Sequence, residues 1–148
     1  MPPKSQTTTT TRTTPRRLTA ETTVRAVATS VEERVRAICM ALPEVTEKLS
    51  HGAPAFFVKK QFLMLWPRGH HDHHFPHLWC AAPVGAQGEL IDTEPDRFFR
   101  PPYVGGRGWI GVRLDRGVDW DELAAVCTDA YRTIASKKLV AELDNAST

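Results

Sequence analysis

The stretch Ala53 to Pro67, "APAFFVKKQFLMLWP", restricts the fold more than any other part of the chain. Two apolar, aromatic-rich runs flank the polar step "KKQ", which is the pattern of a β-hairpin. Successive side chains of a strand point to opposite faces, yet Phe62 to Trp66 is apolar at every position. Such a strand predicts an interior place in a sheet, covered on both sides. "HLWCAAP", beginning at His77, reads as a third strand, and "GWIGVRLD", beginning at Gly108, as a further one. Helical patterns bracket the strands. "SVEE" from Ser30 has the form of a capping box, and Val31, Val35, Ile38 and Leu42 recur at helical spacing until Pro43 ends the run. Val24 and Val27 extend the same stripe backwards. In "DWDELAAVCTDAYRTIAS" a second capping box, Asp119 with Glu122, opens a helix whose Trp120, Leu123, Cys127, Ala130 and Ile134 face the core. "GAQGELIDTEPDRFF" reads as a short helix with an irregular exit. The order predicts an α+β fold, a twisted antiparallel sheet with helices packed on one face.

At 148 residues the chain has the length of one domain. Residues 1–29 are Thr-rich, basic and without an apolar face, the composition of a disordered tail, so the folded domain is expected over 30–148. The net charge of +2 divides unevenly. Residues 1–30 hold five cations against one acid, leaving 14 basic and 16 acidic side chains in the remainder. The folded part thus lacks an overall positive field for nucleic acid, and binding there would need a local patch. Cys39, Cys80 and Cys127 are scattered and odd in number, which suggests buried thiols in a reducing compartment. With no apolar run long enough for a membrane span and no apolar block of a secretory signal, a cytoplasmic location without membrane partners is expected.

The run "FFRPPYVGGRGWIGVRLD", Phe98 to Asp115, together with "ALPEVTEKLSHGAPAFFV", "LWCAAPVGAQGEL" and "DWDELAAVCTDAYRTIASKKLVAELD", resembles the MmcQ/YjbR-like family. The resemblance covers residues 31–144. It implies a CyaY/frataxin-like two-layer sandwich and a "double wing" arrangement in which hairpins contact double-stranded DNA. It brings no catalytic set and no cofactor. The Thr-rich tail lies outside it, and the histidine density in the connection between the second strand and the third, "HLWCAAP", exceeds the family pattern.

On the "GWIGVRLD" strand, Ile110, Val112 and Leu114 share one face, which must be the core face, and Arg107, Trp109, Gly111 and Arg113 share the other. An indole between two guanidinium groups, beside a glycine that leaves the backbone uncovered, is a platform on which a base or sugar can stack while the arginines reach phosphates. Arg97, Arg100 and Arg116 would widen the positive region. The structural alternative is a Trp packed under the "RPPY" loop, with Arg stems covering it and Tyr103 flat against the sheet. The candidate nucleic-acid or ligand-binding residues are Arg100, Tyr103, Arg107, Trp109 and Arg113. They serve either a DNA-binding module or a pocket for a small molecule or protein near Tyr103 and Trp109.

Three further patterns carry less. Gly106, Gly108 and Gly111 spell G-x-G-x-x-G, but a strand rather than a helix N-terminus follows, so the dinucleotide reading fails. Glu44 and Glu47 near His51 suggest acid–base work, although Pro43 has already ended the helix that would align them; His51 in "SHGAP" reads as a turn residue bonded to backbone. His70, His71, His73, His74 and His77, with Asp72, have the chemistry of a zinc, nickel or copper site. No partner motif accompanies them, and Gly69 and Pro76 bracket the segment. The expectation is a loop of exposed imidazoles titrating near their ordinary value, with no bound metal. Without a nucleophile–base or convergent carboxylate motif, binding is expected rather than catalysis.

Overall fold

A single residue, Lys59, turns the hairpin at the centre of the fold, with φ of 71°. It joins β2 (Ala53–Val58) to β3 (Lys60–Trp66). Phe56 pairs with Leu63 and Phe57 with Gln61, so Phe62 is the extra residue of a β-bulge. The bulge explains how a strand with so little polar–apolar alternation is used. Phe62 meets Tyr131 of a helix edge-on, with ring centroids 5.8 Å apart, whereas Gln61, Met64 and Trp66 line a pocket on the opposite face of the sheet.

The computed structural model describes residues 20–70 and 73–146. In chain order the elements are α1 (Ala20–Met40), β1 (Thr46–Ser50), β2, β3, β4 (His77–Cys80), α2 (Ala86–Thr93), β5 (Phe98–Phe99), β6 (Ile110–Arg113), α3 (Trp120–Ile134) and α4 (Lys137–Ala146). The six strands form one sheet in the order β1-β2-β3-β4-β6-β5, with every neighbouring pair antiparallel. This is the expected α+β arrangement. Among the described residues, no helix is long and apolar enough to cross a membrane.

One face of the sheet carries the helices. Val31, Val35 and Cys39 of α1 and Leu123, Cys127, Ala130 and Tyr131 of α3 are buried with Leu63, Leu65, Leu78, Ile110 and Val112. The three cysteines are free and buried, as expected. Arg36 anchors α1 to the sheet edge through two hydrogen bonds to the Glu47 carboxylate, at 2.7 and 2.8 Å. The guanidinium holds that carboxyl below its ordinary value. Glu47 is therefore a structural partner, not half of an acid–base pair. Asp119 caps α3 as expected, its Oδ1 accepting from the backbone N–H of Asp121 and Glu122. The Glu122 side chain does not reach back; it pairs with Arg97.

Several elements differ from expectation. Helix α1 begins at Ala20, the earlier start that the Val24 and Val27 stripe left open, so Ser30 lies inside it rather than at a cap. The tail expected over 1–29 falls in its first nineteen positions outside the described residues, and residues 20–29 have helical backbone. Strand β1 is an additional edge strand, turned into β2 at His51 and Gly52, whose φ values of 52° and 81° suit a tight hairpin turn. His51 is a turn residue, but its Nδ1 contacts Ser50 Oγ at 3.2 Å rather than backbone. The short β5 and the separate α4 are also new. Gly106 and Gly108 lie in and after a tight 3-10 turn, and Gly111 lies within β6, so no helix N-terminus follows the G-x-G-x-x-G pattern.

Candidate ligand pocket

The face of the sheet turned away from α1 and α3 holds a cavity of about 600 Å³. Strand register explains its floor. Met64 pairs with Trp79 across β3 and β4, and Trp66 pairs with His77, so these side chains stand on one face. The Trp66 and Trp79 rings lie 5.1 Å apart, tilted by 56°. Trp109, just before β6, completes an aromatic base with only 4% of its surface exposed. His70 packs its ring against Trp66 and Trp79 at 4.7 and 5.3 Å.

The loop after β5 builds one wall. Pro101 and Pro102 stiffen its start, the Gly105 N–H donates to the Pro101 carbonyl, and a 3-10 turn spans Gly105–Arg107. At Gly105 a Cβ would meet the Arg100 side chain, with Cγ at 2.7 Å, so the glycine lets Arg100 lie close against the loop. Gln87 of α2 braces the loop, its Nε2 donating to the carbonyls of Gly105 at 2.8 Å and Trp109 at 2.6 Å. Tyr103 sits at φ 66°, a conformation that costs a non-glycine residue about 1–2 kcal/mol. Its side chain is 78% exposed at the pocket mouth. Ser50, His51, Lys60 and Gln61, from the two neighbouring hairpins, form the opposite rim.

Of the five expected site residues, Tyr103, Arg107 and Trp109 line this cavity together, and Arg100 and Arg113 do not. The Arg100 Nη1 donates to Gln87 Oε1 at 3.3 Å behind the loop. Arg113 is held by Asp115 through two hydrogen bonds of 3.0 and 2.8 Å and lies 3.9 Å from the centre of the Phe75 ring. Arg97 is paired with Glu94 and Glu122, and Arg116 with Asp115 at 3.7 Å, so the arginines do not fuse into one free positive surface. Gly111 is not uncovered backbone: the Phe99 ring occupies the space where a Cβ would stand. Trp109 fits the structural alternative in lying under the loop with the Arg107 guanidinium 5.1 Å from its ring centre. Tyr103, by contrast, stands out from the sheet.

The histidine segment also needs correction. His77 is part of β4 and fully buried, not an exposed loop imidazole. Burial, reinforced by His73, His70 and Arg113 and opposed by a 2.7 Å hydrogen bond to the Phe75 carbonyl, pushes its pKa down to about 4. A carbonyl can only accept, so Nδ1 carries the proton of the neutral ring. His73 stacks near Phe99, with centroids 4.4 Å apart. Among the described residues no group of three or more His, Cys, Asp or Glu is placed to hold a metal; His71 and Asp72 lie outside them.

The pocket residues that sequence reasoning missed are the floor, Met64, Trp66 and Trp79, and the far rim, Lys60 and His51. Their signal was the apolar character of β3 and β4 on both faces. Helices cover only one of those faces, so aromatic residues on the other line a cavity.

Comparison with known proteins supplies a family. The YjbR family model matches residues 40–133, a span containing every residue that lines the pocket. The crystal structure of Deinococcus radiodurans protein DR2400, described with the family-model domain DUF419, aligns with a TM-score of 0.60 at 18% identity. The alignment covers 72% of this chain and 80% of that one, and it shows a shared fold. No curated protein matches this chain.

Proposed function

This chain belongs to the YjbR family, and on that premise we propose that it is a binding module whose ligand is a small organic molecule seated on the helix-free face of the sheet. The observation that carries the reading is the aromatic-floored cavity of about 600 Å³. Its size falls within the few hundred to about 1,000 Å³ common for small-molecule sites, which combine an apolar lining with a few polar groups. Here the polar groups are Ser50, His51, Lys60, Gln61, His70, Tyr103 and Arg107. Ser50 and His51 touch, but both lie at an exposed hairpin end, and among the described residues no third group is bonded to His51 to orient it as a base. Binding suits the site better than nucleophilic catalysis.

Double-stranded DNA is the second reading. Two hairpins flank the pocket, and Lys59 and Lys60 are exposed at the turn of one of them, a disposition that suits wings on a duplex. Binding of this kind would weaken steeply with salt.

A thermal-shift screen separates the two, because a ligand that binds the native state and not the unfolded chain raises the melting temperature, increasingly so as its concentration exceeds Kd. The pocket reading predicts a rise of several degrees with particular small molecules, lost in Val104→Trp, which fills the cavity from its half-buried wall. Stabilisation by duplex DNA alone, unchanged by Val104→Trp, would overturn it.

A further inference from the structure

We infer that the pocket takes a flat aromatic molecule bearing one anionic group, a carboxylate or a phosphate. This rests on the small-molecule reading above and names its ligand class. The lining contains two full cations, Lys60 and Arg107, and two imidazoles, His51 and His70, with no Asp or Glu. Arg107 is the arginine of the lining. Arg36, Arg97, Arg113, Arg116 and Arg132 each pair with a carboxylate, whereas Arg107, like Arg34, Arg68 and Arg100, has no such pairing among the described residues. Its guanidinium lies over the Trp109 ring, which positions the planar donor fork while leaving its edge to bind an oxyanion in bidentate fashion.

The rest of the ligand follows from the floor. Trp66, Trp79 and Trp109 offer aromatic surface, and Met64 adds a polarisable thioether. Tyr103 stands at the mouth with its ring centroid 6.4 Å from that of Trp79, tilted by 52°. A planar ring system fits aromatic walls at low cost in ordering, because both partners are rigid. Arg107 on one side and Lys60 on the other place the positive charge at the rim, so the ring enters first and the anion stays near solvent. A cationic ligand would meet like charge from both directions.

Isothermal titration of the full chain with four probes of similar shape tests this: naphthalene carboxylate, naphthyl phosphate, neutral naphthamide and naphthylmethylammonium. Both anions are expected to bind at least about tenfold tighter than the amide, with the ammonium weakest, and the stronger of the two identifies the anionic group. Arg107→Ala and Lys60→Ala, both at exposed positions, should each reduce the preference for the anion over the amide severalfold. If the amide binds as tightly as the anions, the anionic class is wrong and the pocket reading stands. If none of the four binds, both fall.

Discussion

His77 makes the protein acid-sensitive in a range where carboxylates contribute little. Its imidazole is fully buried, and its pKa of about 4 compares with 6.5 for the free side chain. The folded state therefore holds fewer protons than the unfolded state between these two values. Stability rises with pH wherever the unfolded state binds more protons, so His77 favours folding above about pH 6.5, and this contribution is lost as pH falls towards 4. At roughly 1.4 kcal/mol per pH unit of separation the full loss is about 3 kcal/mol, of which about 2 kcal/mol is spent between pH 7.5 and 5. The depressed carboxyls of Glu47 and Asp115, held down by Arg36 and Arg113, work lower. Their stabilisation is present above their ordinary values of 4.5 and 3.8 and declines only below them. Urea denaturation at several pH values from about 7.5 to 5 isolates the histidine, since midpoint changes at constant slope report stability. His77→Phe keeps a ring among Trp66, Phe75 and Phe99 but cannot ionise, and should reduce the pH dependence to a small fraction. A flat wild-type profile, or a variant that keeps the full slope, would mean that His77 is not the group that titrates.

Three substitutions test the packing of the fold on both faces of the sheet. Gly111→Ala would drive a Cβ into the Phe99 ring, which His73 and Phe75 pack against; a loss of about 1–3 kcal/mol is expected in urea denaturation, and an unchanged midpoint would mean that Phe99 does not sit there. Asp119→Ala removes the acceptor for two N–H groups at the start of α3 and should cost about 1 kcal/mol. Tyr131→Phe deletes the 2.8 Å hydrogen bond from the buried phenol to the Pro43 carbonyl, at about 1 kcal/mol and more if that carbonyl finds no new donor; thermal unfolding reads both.

The fold was legible where burial leaves a compositional trace. The unbroken apolar run of β3, the Leu–Trp–Cys of β4 and the stripe on α3 all report burial directly. Strand β1, "TEKLS", left none. It is an edge strand with Leu49 76% exposed, and pairing to β2 forms it, not its own side chains. The start of α1 misled because Ser30 satisfies a local capping pattern inside a helix whose stripe continues through it. The break before α4 carries a readable signal, Ser136, whose Oγ accepts from the Leu139 N–H at 3.3 Å.

For the site, Arg107 and Trp109 reach the expected side of the sheet, but from a 3-10 turn and the residue before β6, where strand alternation does not apply. Alternation carried Arg113 into the expected platform, although Asp115, two residues on and therefore on the same strand face, was there to neutralise it. The cavity floor needed the pairing of β3 with β4, a register that spacing within one strand does not contain. The fate of the histidines turned on what covers the face of β4 that His77 occupies. His77 already opened the strand read as "HLWCAAP", but the Trp66, Phe75 and Phe99 rings that bury it come from other elements.

A ligand on the helix-free face of the sheet would be reported by the indole N–H signals of the four tryptophans. Trp66, Trp79 and Trp109 line the cavity. Trp120 belongs to α3 and lies under the Arg34 guanidinium of α1 on the opposite side. Titration with naphthalene carboxylate, followed by proton–nitrogen correlation spectra, should move the first three signals along a saturating curve and leave that of Trp120 in place. Saturable binding that shifts Trp120 alone, or none of the four, would place the ligand elsewhere than on this face.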